Sequence, residues 1–429
     1  MRMNNFKLTL TSVLLLGVSC YGTAFAQDNS DGSVDSPASI RSVMDIYLED
    51  YPNATREEAT EILSQEMNEE ITSVLNCVKN DLYFAGMYQS HVPSFRIDVK
   101  FTENPEINLN KCSQNPIFTP TIAVNTITEL EAAKEAVMNR LNFYKMEYRM
   151  GVSHQTNKLE IDVPKGSLLT IMNLINSFDI KGTIFKFNEV DKIGIEFTAG
   201  GGSSGPLQVR GNMKVSHTYG QDCTTGYVVE STDSVPTVGV TTAGHCPDAK
   251  VFLGSNPVNV EPGQSDPGMP GHDPNVDLQF MTVGVGDPNL VEYLPEINYH
   301  QVQAGLTMDV LGSQNSGTIG QGAYICSIGH AGAPARQCGN YSGFQSFNGY
   351  GTFPTATQPN STSLTSFAQP GDSGGPVFFE YINGIPQWGV DPFVVALGTM
   401  VGHDLSENGV LYFTPMERFV DIGVVLKLD

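Results

Sequence analysis

The pattern of apolar and polar positions changes character near residue 200 of this chain. Before that point, amphipathic runs predict three helices: 57–78, 127–141 and 168–178. Alternating apolar and polar residues predict four strands: Phe95–Phe101, 148–152, 159–163 and 183–187. The order strand, helix, strand occurs twice, which predicts a small α+β module over about 60–195. The polar stretch that begins at residue 27 and ends near residue 60 is expected to be loose.

The sequence pattern changes after the segment Gly200–Pro206, which has the composition of a flexible linker. Helical patterns almost vanish, and short apolar runs such as Gly226–Val229 and Phe393–Leu397 alternate with turn residues. Closely spaced short strands are typical of an all-β sandwich or barrel. We therefore predict an α+β segment at 27–202 and an all-β domain at 203–429.

The first 26 residues have the layout of a secretory signal peptide. Basic Arg2 and Lys7 precede an apolar run, and the segment ends in Ala24-Phe25-Ala26. Because the apolar run is well short of the ~20 residues that a spanning helix needs, no stable membrane span is expected. The prediction is a secreted, extracellular protein, with acylation at Cys20 as an alternative.

Charge and length narrow the range of partners and architectures. The 429 residues include 46 acidic and 23 basic side chains, which gives a net charge of −23. A surface this negative repels phosphates, so no nucleic acid is expected as a partner. The length favours two or three domains, because single cores rarely grow beyond roughly 250–300 residues.

The cysteines predict disulfide bonds. Removal or acylation of Cys20 leaves six cysteines, an even number in an exported chain. Pairing of sequence neighbours is the simplest connectivity. It joins Cys77 to Cys112, Cys223 to Cys246, and Cys326 to Cys338. The sequence contains no C-x-x-C and no H-E-x-x-H pattern, and neither a metal nor another cofactor is predicted.

The strongest chemical signal is the hexamer GDSGGP at residues 371–376. Glycines beside a serine allow positive φ angles, which expose the hydroxyl and turn N–H groups inward. We therefore predict Ser373 as a nucleophile and the N–H groups of Gly371 and Ser373 as an oxyanion hole. The alternative is a glycine-rich turn with an unreactive serine.

A serine hydroxyl needs a base, and His245 is the best candidate. It follows an apolar run and precedes Cys246, whose disulfide can fix the loop. His91 and His154 lie in the first module and are expected at the surface.

The base in turn needs a buried carboxylate that fixes its tautomer. Asp277 opens an apolar strand, where an unpaired charge would be costly. Asp273 is the competing candidate, but it precedes Pro274 in a turn-like stretch and is expected to be solvated.

These segments resemble the trypsin-like serine proteases, and within them the bacterial branch of streptogrisins and α-lytic protease. The resemblance covers about residues 208–429 and includes Cys223–Cys246 and the terminal Phe413-Thr414-Pro415, which a short helix and the strand Ile422–Leu428 follow. It implies two six-stranded antiparallel β-barrels in a chymotrypsin-like arrangement. It also implies that the preceding α+β pro-region acts as folding aid and inhibitor. Cys326–Cys338 matches a second family disulfide, next to the substrate cleft.

The chain departs from that family around the specificity pocket. The family has a cysteine a few residues before the nucleophile, where this chain has Phe367. Where the family reads Ser-Gly-Gly, this chain reads Val401-Gly402-His403. We assign these four residues to substrate binding and expect an apolar or small residue before the scissile bond. His403 keeps a preference for Glu as an alternative, since a histidine can pair with a carboxylate.

The resulting hypothesis is a secreted serine endopeptidase, made as a pre-pro-enzyme and acting as a monomer on protein or peptide substrates. Ser373 would attack, His245 would carry the proton and Asp277 would orient His245. One alternative is a binding or adhesion protein that keeps the scaffold without turnover. A weaker alternative is an esterase, although the strand-to-helix G-x-S-x-G elbow is not supported.

Overall fold

The computed structural model of the chain describes sixteen stretches beyond residue 41. They are 42–175, 184–191, 195–196, 208–217, 222–246, 251–253, 256–260, 265–266, 272–283, 291–298, 307–330, 336–347, 350–359, 371–381, 393–404 and 409–428. The predicted signal peptide, Cys20, the linker at 200–206 and Phe367 lie outside the described residues. Within the described stretches, no helix is both long and apolar enough to cross a bilayer.

The described part of the N-terminal half, residues 42–191, alternates helices and strands. The helices are α1 Val43–Asp50, α2 Arg56–Ile62, α3 Gln65–Val78, α4 Pro105–Leu109, α5 Ile127–Phe143 and α6 Leu168–Ile175. The strands are β1 Phe84–Ser90, β2 Arg96–Phe101, β3 Phe118–Ile122, β4 Arg149–Ser153, β5 Lys158–Pro164 and β6 Phe185–Val190. A further two-residue strand, β7, follows at Ile195–Glu196.

The single helix predicted at 57–78 is two helices. Leu63 leaves helical geometry, and the side chain of Ser64 accepts a hydrogen bond from the backbone N–H of Met67, which starts α3. A serine at this position caps a new helix more readily than it continues an old one, because its hydroxyl satisfies an N–H that has no partner within the helix. The helical periodicity continues across the break, and so the sequence pattern concealed it.

Ordered structure also begins earlier than the sequence predicted. α1 lies in the stretch that is expected to be loose. Both α1 and α2 begin with a reciprocal capping box, at Ser42 and at Thr55. α1 buries Tyr47 and Tyr51 in the hydrophobic core of the chain's second half, in the same cluster as Tyr324. Tertiary burial of this face stabilises a helix too short to persist alone.

The C-terminal half, residues 208–428, is built almost entirely of strands in its described part. They are β8 Gln208–Gly211, β9 Lys214–His217, β10 Cys223–Thr224, β11 Val228–Ser231, β12 Val238–Thr242, β13 Val251–Leu253, β14 Asn256–Val260, β15 Gln279–Val283, β16 Glu292–Asn298, β17 Thr307–Ser313, β18 Tyr324–Ser327, β19 Gln337–Phe347, β20 Gly351–Thr357, β21 Pro376–Tyr381, β22 Phe393–Asp404, β23 Val410–Pro415 and β24 Val424–Leu426. Short 3₁₀ helices lie at Ser316–Thr318 and Met416–Ile422.

The described strands form three sheets. One has three strands in the order β1-β2-β3, and a second has eight in the order β10-β9-β13-β14-β15-β12-β11-β24. The third has 13 strands and joins the two halves, because β4 of the N-terminal half pairs with β19 of the C-terminal half. The chain is therefore rich in β structure, as predicted, while the division into two six-stranded barrels stays a prediction.

Three disulfide bonds join the cysteines that are neighbours in sequence. Cys77 pairs with Cys112, Cys223 with Cys246, and Cys326 with Cys338. The first lies in the N-terminal half and the other two lie in the C-terminal half.

Candidate active site

His245 and Asp277 are brought together by the pairing of two neighbouring strands. β12 and β15 run antiparallel with Thr242 opposite Gln279. His245 follows β12 and Asp277 precedes β15 at the same end of the pair. The carboxylate of Asp277 therefore lies within reach of the His245 imidazole.

Both oxygens of the Asp277 carboxylate bind His245. Oδ2 lies 2.6 Å from Nδ1 of the ring, and Oδ1 accepts a hydrogen bond of 2.8 Å from the backbone N–H. Asp277 is fully buried. Because the carboxylate can only accept, it holds the proton on Nδ1 and leaves Nε2 as the basic nitrogen.

Thr414 supports Asp277 from β23, and the sequence analysis gave it no role. Its hydroxyl oxygen accepts a hydrogen bond of 3.0 Å from the Asp277 N–H and lies 3.0 Å from the Asp277 carbonyl, to which it donates. Thr414 is itself fully buried. The sequence analysis includes Thr414 only as part of the segment Phe413-Thr414-Pro415. Its contact with Asp277 joins residues 137 positions apart, which no local pattern shows.

The loop that carries His245 is fixed on two sides. The side-chain amide of Gln279 donates to the carbonyls of Ala243, at 2.8 Å, and Cys246, at 2.9 Å. The disulfide from Cys246 to Cys223 ties the loop to β10. A base held in this way loses little entropy when it orients toward a substrate.

Asp273 takes a different role from Asp277. It forms an ion pair with Arg418 and accepts a hydrogen bond of 2.8 Å from the backbone N–H of Asn275. It therefore shapes the turn before β15, and Asp277 is the carboxylate that binds the histidine.

The turn that carries Ser373 packs against the strand that leads to His245. The N–H of Thr224 donates to the Ser373 carbonyl at 2.8 Å, and the Thr224 hydroxyl donates to the Gly371 carbonyl at 2.5 Å. Thr242, at the end of β12, donates its hydroxyl to the Thr224 carbonyl at 2.7 Å. The turn with Ser373 and the strand that leads to His245 are thus joined through Thr224 by one backbone and two hydroxyl hydrogen bonds.

Glycine is required at two positions of this turn. Gly371 has a φ of +106° and Gly374 a φ of +91°, a region that other residues rarely adopt. A Cβ at Gly374 would lie 2.2 Å from both the Thr224 carbonyl oxygen and the Thr242 hydroxyl oxygen. The hexamer pattern therefore has a structural cause in the close approach of the turn to β10 and β12.

Ser373 is fully buried, and its hydroxyl donates to the carbonyl of Val401 at 3.1 Å. Val401 is one of the predicted substrate-binding residues and lies on β22. The serine oxygen is therefore next to this strand, and rotation about the Cα–Cβ bond moves the hydroxyl group between staggered positions. The predicted oxyanion donors, Gly371 and Ser373, flank Asp372 in the same turn.

Three of the four predicted substrate-binding residues lie together on β22, and the fourth, Phe367, is outside the described residues. Val401, Gly402 and His403 are all buried. Val401 belongs to an apolar cluster shared with β19, β20 and β23, whose other buried members are Phe347, Phe353, Val410 and Tyr412. The side chain of Val401 therefore lies in an apolar and partly aromatic cluster, while its carbonyl contacts Ser373.

An extended piece of the N-terminal half adds to β22 as an antiparallel strand. β7 pairs Glu196 with His403 and Ile195 with Asp404. Addition of an extended segment to an exposed strand edge is a common way to bind a peptide, because the main chain supplies the hydrogen bonds. The edge of β22 near Ser373 is thus paired with a short strand from the N-terminal half.

Comparisons with known proteins show partial likenesses to solved protease structures. No family model matches the chain, and no curated protein matches it. Chymotrypsin from Cellulomonas bogoriensis is 21% identical over 52% of this chain and 100% of that chain, with a TM-score of 0.36. Protease A from Thermobifida fusca is 21% identical over 52% of this chain and 100% of that chain, with a TM-score of 0.35. A glutamic acid specific serine protease, described as using a histidine triad in substrate binding, is 17% identical over 51% of this chain and 100% of that chain. Its TM-score is 0.34. At these TM-scores the likeness assigns neither a family nor an activity to the chain.

Proposed function

We propose that the chain is the precursor of a secreted serine endopeptidase. The observation that carries the proposal is the 2.6 Å hydrogen bond between the His245 ring and the fully buried Asp277 carboxylate. A buried aspartate paired with a histidine in this way prepares the other ring nitrogen to accept a proton. The turn with Ser373 packs on the same strand framework, which supports a nucleophile, base and carboxylate acting together.

In the proposed reaction, the Ser373 oxygen attacks the carbonyl carbon of the scissile peptide bond. Nε2 of His245 accepts the hydroxyl proton as the new bond forms, and Asp277 stabilises the resulting imidazolium. The N–H groups of Gly371 and Ser373 would donate to the negative oxygen of the tetrahedral intermediate. The imidazolium then gives its proton to the leaving amine as the peptide bond breaks. Water, activated by the same histidine, releases the acyl group from the serine.

The substrate proposed for this site is an extended peptide on the edge of β22. The pairing of β7 with His403 supports this choice, since a segment of the chain itself already binds there as a strand. The apolar cluster around Val401 favours an apolar or small side chain before the scissile bond. Glu at that position is the competing specificity, because His403 lies on the same strand.

The N-terminal half fits the proposed role of a pro-region. Ser373 is fully buried in the full-length chain, and β7 occupies the proposed substrate edge. Cleavage between about 197 and 210, which lies largely outside the described residues, would separate the two halves. Export and removal of residues 1–26 belong to the same proposal.

Hydrolysis by the secreted protein tests the proposed activity. The chain and its Ser373→Ala variant are expressed with the complete N-terminal region, and peptide-library cleavage is followed by mass spectrometry. We expect cleavage by the parent only, after apolar or small residues. Equal cleavage by both proteins would reject Ser373 as the nucleophile, and no cleavage by a correctly processed parent would favour the binding protein.

A further inference from the structure

The turn at Gln321–Gly322 of the C-terminal half is clasped by the N-terminal half. The Gln321 carbonyl accepts a hydrogen bond of 2.7 Å from Gln89 N–H, and the Gln321 side chain accepts from His154 N–H at 2.8 Å and donates to the Val152 carbonyl at 2.9 Å. A Cβ at Gly322 would lie 2.2 Å from the Gln89 carbonyl oxygen. The two halves therefore approach each other here at backbone distance.

Both ring nitrogens of His91 form hydrogen bonds at this contact. Nε2 lies 2.8 Å from the carbonyl oxygen of Gly322, and Nδ1 lies 2.8 Å from the hydroxyl of Tyr47. The ring stacks on Tyr51 with centroids 4.6 Å apart and lies edge-on to Tyr324 at 6.4 Å. A neutral imidazole suits this arrangement, with one nitrogen donating to the carbonyl and the other accepting from the hydroxyl.

Burial makes the charged form of His91 costly. The side chain was expected at the surface, but it is buried beneath α1, and burial lowers its pKa to about 4 despite the hydrogen bond to Gly322. Three carboxylates lie around the surrounding tyrosines. They belong to Asp50, which accepts a 2.6 Å hydrogen bond from Tyr324, to Glu58 near Tyr47, and to Asp98 near Tyr88.

The second histidine at the contact, His154, has a different environment. Its ring binds the carbonyl of Met87 at 3.0 Å and packs against Gly86, both of which belong to the N-terminal half. Burial lowers its pKa to about 4, and nearby Lys100 lowers it further. Separation of the halves removes the contact of the His154 backbone N–H with Gln321 but leaves the ring contacts with Met87 and Gly86 in place. His154 therefore serves as a control for His91.

We propose that the surface around Gln321, Gly322 and Tyr324 is the docking surface for the N-terminal half, and that protonation of His91 releases it. The occupant is residues 42–191 of this chain, which are already seated on the surface. Separation removes the Gly322 and Tyr324 contacts of the ring. It also removes the C-terminal core against which Tyr47 and Tyr51 pack, so α1 loses the burial that holds it over the imidazole and the ring becomes open to water. His91 can then take up a proton at a pH at which it stays neutral in the docked state.

The direction of the pH effect follows from the two pKa values of His91. Above its ordinary pKa of 6.5 the ring is neutral in both states and docking is at full strength. As the pH falls below 6.5, the separated state takes up a proton and docking weakens, until the docked state is also protonated near pH 4. At pH 5 the affinity should have fallen about 30-fold through this group.

The test uses the full chain carrying Ser373→Ala, with a recognition sequence for a site-specific protease replacing residues 200–206. Cutting this chain leaves both halves present and joined only by noncovalent contacts. Sedimentation equilibrium over a concentration series at pH 7 and pH 5 gives the dissociation constant of the two fragments. Because the chain lacks the serine nucleophile, the result is independent of the proposed peptidase activity.

We expect the dissociation constant to rise about 20-fold more between pH 7 and pH 5 in the parent than in His91→Gln. His154→Gln should keep the full His91-dependent rise. The comparison uses the ratio of the dissociation constants at the two pH values. A loss of affinity that the substitution causes equally at both pH values does not change this ratio. If His91→Gln does not fold, His91→Phe takes its place in the test, because phenylalanine keeps an aromatic ring that cannot titrate. An equal rise in the parent and the His91 variant would overturn the proposal, as would fragments that separate equally at both pH values.

Discussion

Replacement of Asp277 by Asn probes the hydrogen bond on which the proposed mechanism depends. The carboxylate accepts from Nδ1 of His245 at 2.6 Å and from the His245 backbone N–H at 2.8 Å. An asparagine can keep the backbone contact through its carbonyl oxygen, so the loop should hold its position. Its NH₂ group would then face Nδ1 and favour the tautomer in which Nε2 carries the proton.

The wrong tautomer cannot accept the proton of Ser373, which sets the size of the effect. Loss of the carboxylate in a serine, histidine and aspartate triad lowers kcat by about 10⁴-fold, which corresponds to about 5.5 kcal/mol of transition-state stabilisation. Because Asp277 is fully buried, solvent cannot replace the missing charge. KM should change little, since Asp277 lies behind the histidine and away from the proposed peptide edge.

Steady-state hydrolysis of a chromogenic peptide by the processed protein measures the effect. Asp273→Asn is the matched control, because Asp273 binds Arg418 and shapes a neighbouring turn. We expect its kcat to stay within about threefold of the parent value, in line with a small surface perturbation. A kcat for Asp277→Asn within tenfold of the parent, with circular dichroism showing a folded protein, would refute the assigned role. An equally large loss in Asp273→Asn would also refute it.

Three further results are expected. Gly374→Ala should destabilise the fold by about 2–4 kcal/mol and abolish labelling by a serine-directed probe, because its Cβ would collide with the β10 backbone at a φ of +91°; an unchanged melting temperature would contradict this. Thr414→Val should cost about 1–3 kcal/mol in urea denaturation, since it leaves the Asp277 N–H buried without its acceptor, whereas an unchanged midpoint would mean that the hydrogen bond is not needed. Activity recovered on refolding residues 203–429 should be at least tenfold higher when residues 27–202 are present, because long-range strand pairing folds slowly; equal recovery would remove the folding role.

The sequence located the candidate nucleophile and base because both depend on local chemistry. The glycines around Ser373 are required by positive φ angles and by close backbone contacts, and such requirements leave a fixed pattern in the sequence. His245 was found beside a cysteine, and the structure shows that cysteine in a disulfide. Asp277 was chosen over Asp273 by the cost of burying a charge, and Asp277 is the one that contacts His245.

The sequence could not locate features that depend on distant contacts. Thr414 supports Asp277 from another strand, and no spacing along the chain relates the two. The helices that begin at Val43 are stabilised by burial of Tyr47 and Tyr51 against the C-terminal half, which a polar local composition conceals. His91 is buried for the same reason, since α1 covers it.

Covalent labelling tests whether Ser373 is the nucleophile that the proposed function requires. A fluorophosphonate probe is added to the parent and to His245→Ala, and the modified residue is located by peptide mass mapping. We expect one modified residue, Ser373, in the parent and a labelling rate lower by at least about 10³-fold in the variant. A parent that is unlabelled, or labelled at another serine, would contradict it.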